Sequence, residues 1–221
     1  MKFYVVGLGP GDPELISVKA SKILAISDTI FIPYSTNTNR SLALSIVNNY
    51  RSQNSKIIQV GFPMSHEVSE GTLKNIADTI CNNLGNVNTF AVLGDPSLYS
   101  TFFRINKYLN CIKELEIVPG ISSITACAAK ANLNLANNDE SIAIVTSSRI
   151  DLLQKIKDLF DCIVILKTNE NINEIIDLLN SKFRLIYARR CFMDNERIVR
   201  LEKKDEISER DYFSMIIARR E

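Results

Sequence analysis

Short apolar runs alternate with amphipathic segments along the first half of the chain. The runs FYVV, TIFI, KIIQV, TFAVLG and ELEIV have the length and composition of strands, and the segments between them have helical spacing. Strands of this apolar kind that alternate with helices are typical of a parallel sheet covered on both faces. In the first helical segment, SVKASKILAIS, we expect the buried face to consist of Val18, Ile23, Leu24 and Ile26.

The second half of the chain has a different order of elements. SIAIVTSS and CIVILK alternate with helical segments, whereas ERIVRL and YFSMIIARR follow RLIYARR with no full helix between the last two. Strands joined without a crossover helix indicate antiparallel pairing in part of this sheet. We therefore expect an α/β protein of two domains, residues 1–118 with a parallel sheet and residues 119–221 with a mixed sheet, divided at PGISS.

Composition narrows the class of protein without identifying it. The 221 residues are 46% hydrophobic and 23% charged, as in ordinary globular proteins, and the formal net charge is +1. A nearly neutral chain gives no electrostatic reason to expect binding to nucleic acid or to an anionic membrane. No apolar run is long enough to span a bilayer, so we expect a cytoplasmic protein without a membrane partner.

Cysteine and histidine offer little for a metal site. The five cysteines are scattered without a C-x-x-C spacing, which favours small core residues over disulfides or metal ligands; they are Cys81, Cys111, Cys127, Cys162 and Cys191. The one histidine, His66, would have to support a zinc site or a Ser-His-Asp triad alone. We expect a loop histidine without a catalytic role, and no metal.

Three glycine loops follow predicted strands, in GLGPGDPEL, LGDPSLYS and VPGISS. The G-x-G-x-x-G dinucleotide pattern fails because its third glycine would be Asp12, and no glycine is followed by the lysine of a Walker loop. Each loop alone is well explained as a tight turn. Three of them at the carboxyl ends of parallel strands favour one ligand crevice, for a small ligand that is poor in phosphate and could be cationic.

Together these loops resemble the signatures of the tetrapyrrole methyltransferases, which use S-adenosyl-methionine. GLGPGDPELISVKA, GDPSLYS and VPGISSITACAA carry the resemblance, which extends over essentially the whole chain. It implies two α/β domains with the active site in the cleft between them, normally in a homodimer. It also implies an S-adenosyl-methionine-dependent C-methyltransferase that acts on a tetrapyrrole.

Within that family, IFIPYSTNTNRSLAL, VGFPMSHE and GDPSLYSTFFRI are most similar to enzymes that methylate C-20 of precorrin-2 or cobalt-factor II in cobalamin biosynthesis. Two alternatives remain: another tetrapyrrole methylase, such as a uroporphyrinogen III or precorrin-4 methyltransferase, and a non-catalytic nucleotide-binding regulator with the same fold. Whether the substrate holds cobalt stays open, because the macrocycle itself would chelate the metal.

The resemblance also implies roles for individual residues. Cofactor contacts are expected at Gly9, Pro10, Gly94, Asp95, Ser97, Ser100, Thr101, Ser122, Ser123, Lys167, Thr168, Tyr187, Ala188, Ser214, Met215 and Ile216. Contacts to the substrate, which carries many carboxylates, are expected at Asp12, Tyr34, Arg40, Arg104, Arg149 and Arg189, with Lys167 as a further cation.

The chemistry itself asks little of side chains. The conjugated substrate supplies electron density at the methine carbon, so we expect no covalent nucleophile and only a proton acceptor after transfer. Tyr99 is the preferred candidate, ahead of Asp95 and Asp12. Structural alternatives stand beside these roles: turn formation for the two acids, helix capping for Ser122 and Ser123, sheet core for the C-terminal cofactor residues, and a solvated surface for each arginine.

Overall fold

The computed structural model describes residues 1–35, 42–63, 68–202 and 205–220. Two residues discussed above, Arg40 and His66, lie outside these ranges. The chain divides into two compact units, Met1–Ser122 and Ser123–Glu221. Across the described ranges, no helix combines the length and the apolar character that crossing a bilayer requires.

The first unit is built on a five-stranded sheet. Its strands are β1 (Lys2–Gly7), β2 (Thr29–Ser35), β3 (Lys56–Phe62), β4 (Val87–Val92) and β5 (Leu115–Val118). All of them pair in parallel, in the order β3-β2-β4-β1-β5. The helices found in the described part of this unit are α1 (Val18–Ile26), α2 (Leu42–Asn48), α3 (Glu70–Cys81) and α4 (Phe102–Ile105), with 3-10 turns at Pro13–Leu15 and Asn106–Tyr108.

Alternate residues of the central strands pack into two separate hydrophobic clusters, one on each face of the sheet. Phe3 and Val5 of β1 pack with side chains of α3 and α4, and Phe102 of α4 lies against the Phe3 ring with 6.2 Å between centroids. Val6 and Leu8 belong instead to the cluster that contains α1 and α2. Because both faces of the sheet are buried, its strands need no polar side, and the expected doubly covered parallel sheet is confirmed.

The buried face of α1 differs from the expected one. Ala20, Ile23 and Leu24 are buried, but Val18 and Ile26 are 69% and 62% exposed. Val18 is five residues before Ile23, which on a helix of 3.6 residues per turn places the two side chains on different sides. The small side chain of Ala20, one turn earlier, occupies the buried position instead, so the expectation for Val18 and Ile26 was wrong.

The second unit contains the expected mixed sheet. Its strands are β6 (Ile142–Thr146), β7 (Cys162–Leu166), β8 (Phe183–Arg189), β9 (Arg197–Leu201) and β10 (Ser214–Arg220), in the order β6-β7-β10-β8-β9. β6 and β7 are parallel, and every other neighbouring pair is antiparallel. The helices are α5 (Ser123–Lys130), α6 (Ile150–Ile156) and α7 (Ile172–Leu179). Four apolar residues of α7 enter the core at helical spacing: Ile172, Ile175, Ile176 and Leu179.

Two disulfide bonds correct the interpretation of the cysteines. Cys81, the last residue of α3, is bonded to Cys111, and Cys127 of α5 is bonded to Cys191 beyond β8. The expectation of core thiols was wrong for these four residues and holds for Cys162, which is buried in β7. The partners are 30 and 64 residues apart in sequence. Only the fold brings them together, so local cysteine spacing could not reveal them.

Candidate active site

The first glycine loop leaves β1 and turns back on itself. Gly9 has a left-handed backbone with φ +79°, and a side chain there would lie 2.8 Å from the carbonyl oxygen of Leu15. Pro10 is buried beside it. Asp12 caps the following 3-10 turn, where its carboxylate accepts a hydrogen bond from the Glu14 amide at 2.9 Å. The turn-forming role weighed for Asp12 is therefore present in the structure.

The three glycine loops meet in the first unit. Gly9 and Gly94 form an isolated antiparallel bridge, in which the Gly94 amide donates to the Gly9 carbonyl at 2.7 Å. A β-carbon on Gly7 would lie 2.6 Å from the Gly94 oxygen and from two backbone atoms of Gly120. One on Gly120 would collide with the Gly94 oxygen and lie 2.8 Å from Gly7. Gly7 and Gly120 are thus required for contact between loops, not for contact with a ligand.

Gly94 differs from these two glycines in what surrounds it. Its backbone is left-handed, with φ +71°, yet a β-carbon on it would meet no atom within 4 Å. The missing side chain faces open space, beside a peptide whose other edge is paired with Gly9. Of the glycines where loops meet, Gly94 is the one at which a ligand could approach the backbone.

Asp95 is held by donors from two loops. One carboxylate oxygen accepts hydrogen bonds from the amide and the hydroxyl of Ser97, and the other accepts from the Gly120 amide at 2.9 Å. Burial alone would raise the pKa of Asp95, but these bonds from Ser97 and Gly120 favour the charged form and leave its pKa below the usual 3.8. Asp95 is therefore ionised at neutral pH.

The rest of the second loop carries Tyr99 in a strained conformation. Tyr99 has φ +54°, a left-handed backbone that is costly for an aromatic residue, and its side chain is 52% exposed. Ser100 accepts a hydrogen bond from the Phe102 amide at 3.2 Å, and Thr101 directly precedes α4. Backbone strain of this kind costs about 1–3 kcal/mol and clusters at functional sites. The outlier therefore agrees with a functional role for Tyr99.

The remaining candidates of the first unit lie around these loops or in neighbouring elements. Ser122 is the last residue of the unit. Arg104, in α4, donates a hydrogen bond to the Pro63 carbonyl at 3.4 Å. Tyr34 lies in β2 opposite Gly61 of β3.

In the second unit, the candidates cluster where β7 ends and β10 begins. The Thr168 hydroxyl donates to the Ser214 hydroxyl at 2.9 Å, and both residues are buried. Lys167 has a left-handed backbone with φ +58°, and its ammonium lies 5.1 Å from the centre of the Tyr212 ring. Ser123, by contrast, begins α5. Thr168 and Ser214 thus fix the loop after β7 against the start of β10.

Four further cofactor candidates form part of the sheet itself. Met215 pairs with Ala188, and Ile216 pairs with Tyr187. All four are buried, and the Tyr187 side chain belongs to the main core of the unit. Burial raises the pKa of Tyr187, and its hydroxyl has no hydrogen-bond partner among the described residues. The backbones of all four are paired with strands on both sides, so their role in cofactor binding stays a prediction.

Two of the arginines proposed for substrate carboxylates already have acidic partners. Arg149 pairs with Asp151 at 3.1 Å on the surface. Arg189 pairs with Glu209 at 3.3 Å and donates to the carbonyl of Asn195 at 3.0 Å. Substrate carboxylates would have to compete with these ion pairs, which contribute about 0.2–1 kcal/mol each when exposed. Their roles in substrate binding stay predictions.

Sequence reasoning missed the contact of Gly7 with Gly120 and the bond from Gly120 to Asp95. Gly7 and Gly120 both lie in the glycine loops identified from the sequence, but these glycines were interpreted as turn residues or as leaving space for a ligand. The available signal was the repetition of glycine at the carboxyl ends of three strands: Gly7 ends β1, and Gly94 and Gly120 lie two residues beyond β4 and β5. Parallel strands that are neighbours in the sheet end side by side, so their glycines can meet.

Comparison with known proteins adds a family to this geometry. Residues 2–205 match the profile of the Tetrapyrrole (Corrin/Porphyrin) Methylases. The chain is 35% identical over 227 residues to the probable cobalt-precorrin-2 C(20)-methyltransferase of Methanocaldococcus jannaschii. That alignment covers 99% of this chain and 96% of the relative. The chain is also 33% identical over 172 residues to the cobalt-precorrin-2 C(20)-methyltransferase of Salmonella typhimurium, with 75% and 72% covered.

A solved structure agrees with the fold. The uroporphyrin-III C-methyltransferase of Thermus thermophilus, in complex with S-adenosyl homocysteine, superposes with a TM-score of 0.68 and 20% identity. The match covers 99% of this chain and 97% of that one. The α/β fold expected from the sequence, with one parallel and one mixed sheet, is confirmed.

Proposed function

The chain belongs to the tetrapyrrole (corrin/porphyrin) methylases, and from this premise we propose that it methylates C-20 of precorrin-2 or cobalt-factor II in cobalamin biosynthesis, with a cobalt-containing substrate preferred. Methylases of this family use S-adenosyl-methionine, so the chain is a methyltransferase with that cofactor. The observation that carries the choice of C-20 is the 35% identity over 99% of the chain to a relative named for that reaction. The similarity to the Salmonella enzyme supports the same substrate.

The residues at the loop junction fit the cofactor. The open space beside Gly94 would admit a ligand to the backbone, and a β-carbon there meets nothing that would have to move. Ser97 and Gly120, the donors to Asp95 in the described part of the chain, are neutral groups and do not compensate its negative charge. A negative charge near a sulfonium or an ammonium group is favourable, whereas a phosphate there would be repelled.

S-adenosyl-methionine supplies a methyl group activated by its sulfonium, and the substrate supplies the nucleophilic carbon. The protein's task is to hold the two reactants in line, which can contribute roughly 7–11 kcal/mol toward the barrier. We assign this positioning to the loops around Gly94, whose backbone is open on one face. No covalent intermediate with the protein is required.

Loss of the C-20 proton after transfer needs a route to solvent, and we propose Tyr99 as the relay: its hydroxyl oxygen takes up the C-20 proton as its own O–H proton passes to water. Its side chain is exposed at the junction loop, and its strained backbone supports a functional reason for its orientation. Asp12 is engaged with its own turn. Asp95 accepts from three donors and is stabilised as the charged form, which makes it a weak base.

The experiment that tests the function is incubation with methyl-labelled S-adenosyl-methionine and one of three acceptors: cobalt-factor II, metal-free precorrin-2 or precorrin-4. Mass spectrometry and NMR would locate the label. We expect one labelled methyl group at C-20, with the cobalt-containing acceptor preferred. Label at another carbon would retain the family and reject C-20. Binding of S-adenosyl homocysteine without any transfer would favour a regulator that keeps the fold.

A variant that fills the open space beside Gly94 tests whether the cofactor binds there. Gly94→Arg places a long side chain in the space beside the loop without an initial backbone collision, so we expect it to abolish cofactor binding while the fold is retained. Calorimetric titration with S-adenosyl homocysteine and circular dichroism measure the two. Normal affinity in this variant would remove Gly94 from the proposed site. The homodimer and the cytoplasmic location stay predictions.

A further inference from the structure

We propose that Asp95 is a positioning residue, which prepares the cofactor site by holding the third glycine loop to the second through the Gly120 amide. The inference rests on the proposed cofactor site at Gly94. It assigns to Asp95 a role exerted through Gly120, in place of proton transfer or of a role confined to its own turn.

The two Gly-Asp-Pro sequences of the chain show why the role is specific. Asp12 and Asp95 each follow a glycine and precede a proline. Asp12 accepts from Glu14, two residues along the same turn. Asp95 makes the equivalent bond to Ser97 with one oxygen, and its second oxygen reaches Gly120, 25 residues away. The same local motif therefore serves one loop in the first case and joins two loops in the second.

The bond to Gly120 completes a set of contacts around one peptide. Gly94 is paired with Gly9 along one edge, and its carbonyl oxygen packs against Gly7 and Gly120. Asp95, the next residue, holds Gly120 in that position. If Gly120 moves away, the Gly94 carbonyl loses a packing partner, and the open face of Gly94 is no longer fixed in orientation. We infer that Asp95 sets the geometry of this face.

Asp95→Asn is the informative substitution because it keeps the size of the side chain. An amide has one acceptor oxygen and presents N–H donors where the carboxylate had its second oxygen. It cannot accept from both Ser97 and Gly120. Because the amide and the hydroxyl of Ser97 both donate to the first oxygen, we expect the side-chain amide oxygen to stay on that side and the Gly120 amide to lose its partner. The chain offers a matched control in Asp28, one of whose oxygens accepts from the amides of Asn86 and Val87 at 2.9 Å each, next to the amino end of β2.

Three measurements separate the possible roles. In the protein without cofactor, we expect amide hydrogen exchange at Gly120 to be about tenfold faster in Asp95→Asn, since its acceptor is lost. The dissociation constant for S-adenosyl homocysteine should rise by about tenfold or more, as for loss of a hydrogen bond to a charged group. At saturating S-adenosyl-methionine, kcat should stay within about threefold of wild type with an unchanged pH profile.

The control and the contrary results complete the test. Asp28→Asn should lower the melting temperature but leave the dissociation constant and the Gly120 exchange at their wild-type values. A large fall in kcat at saturating cofactor, with unchanged affinity, would make Asp95 a proton acceptor and overturn the proposal. Weakened binding with Gly120 still protected would indicate that Asp95 acts on the cofactor directly, by its charge or by contact, and would also overturn the proposal. If wild-type protein bound no S-adenosyl homocysteine, the proposed function would fail instead.

Discussion

Replacement of Gly7 by alanine tests whether contact between the loop backbones stabilises the first unit. The new β-carbon would lie 2.6 Å from three backbone atoms, two in Gly120 and the carbonyl oxygen of Gly94. Carbon atoms in good contact are about 3.5–4.0 Å from their neighbours, so the loops must separate by roughly 1 Å. Overpacking costs about 1–3 kcal/mol, and we expect the upper value because backbone atoms cannot rotate away.

Two further glycines provide graded comparisons. Gly94→Ala meets no atom within 4 Å, so only the left-handed backbone at φ +71° opposes it, at about 1–2 kcal/mol. Gly71→Ala, in α3, would have one neighbour at 3.9 Å and needs no unusual backbone. It should stabilise the protein by about 0.5 kcal/mol, because alanine loses less conformational entropy in a helix.

Native-state hydrogen exchange of the amides in β1 and β4 measures the free energy of opening of this unit. A loss of about 3 kcal/mol corresponds to exchange roughly a hundredfold faster in Gly7→Ala. Gly94→Ala should be intermediate, and Gly71→Ala slightly slower than wild type. Exchange in Gly7→Ala within a factor of two of wild type would refute the argument that the loops are in obligatory contact. So would a larger effect in Gly94→Ala than in Gly7→Ala.

Two predictions concern the cysteines. Reduction by dithiothreitol should destabilise the second unit by about 4 kcal/mol, because the Cys127–Cys191 bond closes a loop of 64 residues in the unfolded chain. Thermal unfolding with and without dithiothreitol measures this loss. A double variant, Cys127→Ser with Cys191→Ser, that lost as much stability in dithiothreitol as the wild type would contradict the prediction. Burial raises the pKa of the Cys162 thiol to about 11. Its thiolate fraction at pH 8 is then about a hundredfold below that of an ordinary thiol, so iodoacetamide should label Cys162 only in denaturant. The stability of the protein should fall as the pH rises above about 9, because the thiol of the unfolded chain ionises first. Rapid labelling of the native protein at pH 8, read by peptide mass spectrometry, would argue against the burial of Cys162.

The elements of the fold were predictable where a local pattern determines them. The strands of both sheets were visible as apolar runs, and the missing helix correctly indicated antiparallel pairing in part of the second sheet. The arrangement itself did not follow from it, because β9 and β10 each pair with β8 and not with each other. LYSTFFRINKYL, one of the segments of helical spacing between the apolar runs, forms only a short helix: Phe102–Ile105 are α-helical, and a 3-10 turn follows. Phe102 and Ile105 are both buried there, so a short element satisfies the core without a full helix.

The candidate site was less predictable because its contacts join residues far apart in sequence. The motifs identified Gly94 and Asp95, but nothing local indicates that Asp95 reaches Gly120 while Asp12 stays within its turn. The disulfides were missed for the same reason. Tyr99 is the opposite case, since the motif named it and only the structure shows its left-handed backbone.

Contact between the glycine loops also bears on how this scaffold can be recombined. Gly7 and Gly120 exclude side chains only because each lies against the other and against Gly94. Their tolerance to substitution is therefore epistatic: a change in one loop becomes acceptable only with a compensating shift in the other two. A chimera that takes a single glycine loop from a relative would place that loop against two loops to which its backbone is not fitted. Exchange of all three strand ends as one block would keep the contacts among Gly7, Gly94 and Gly120 intact.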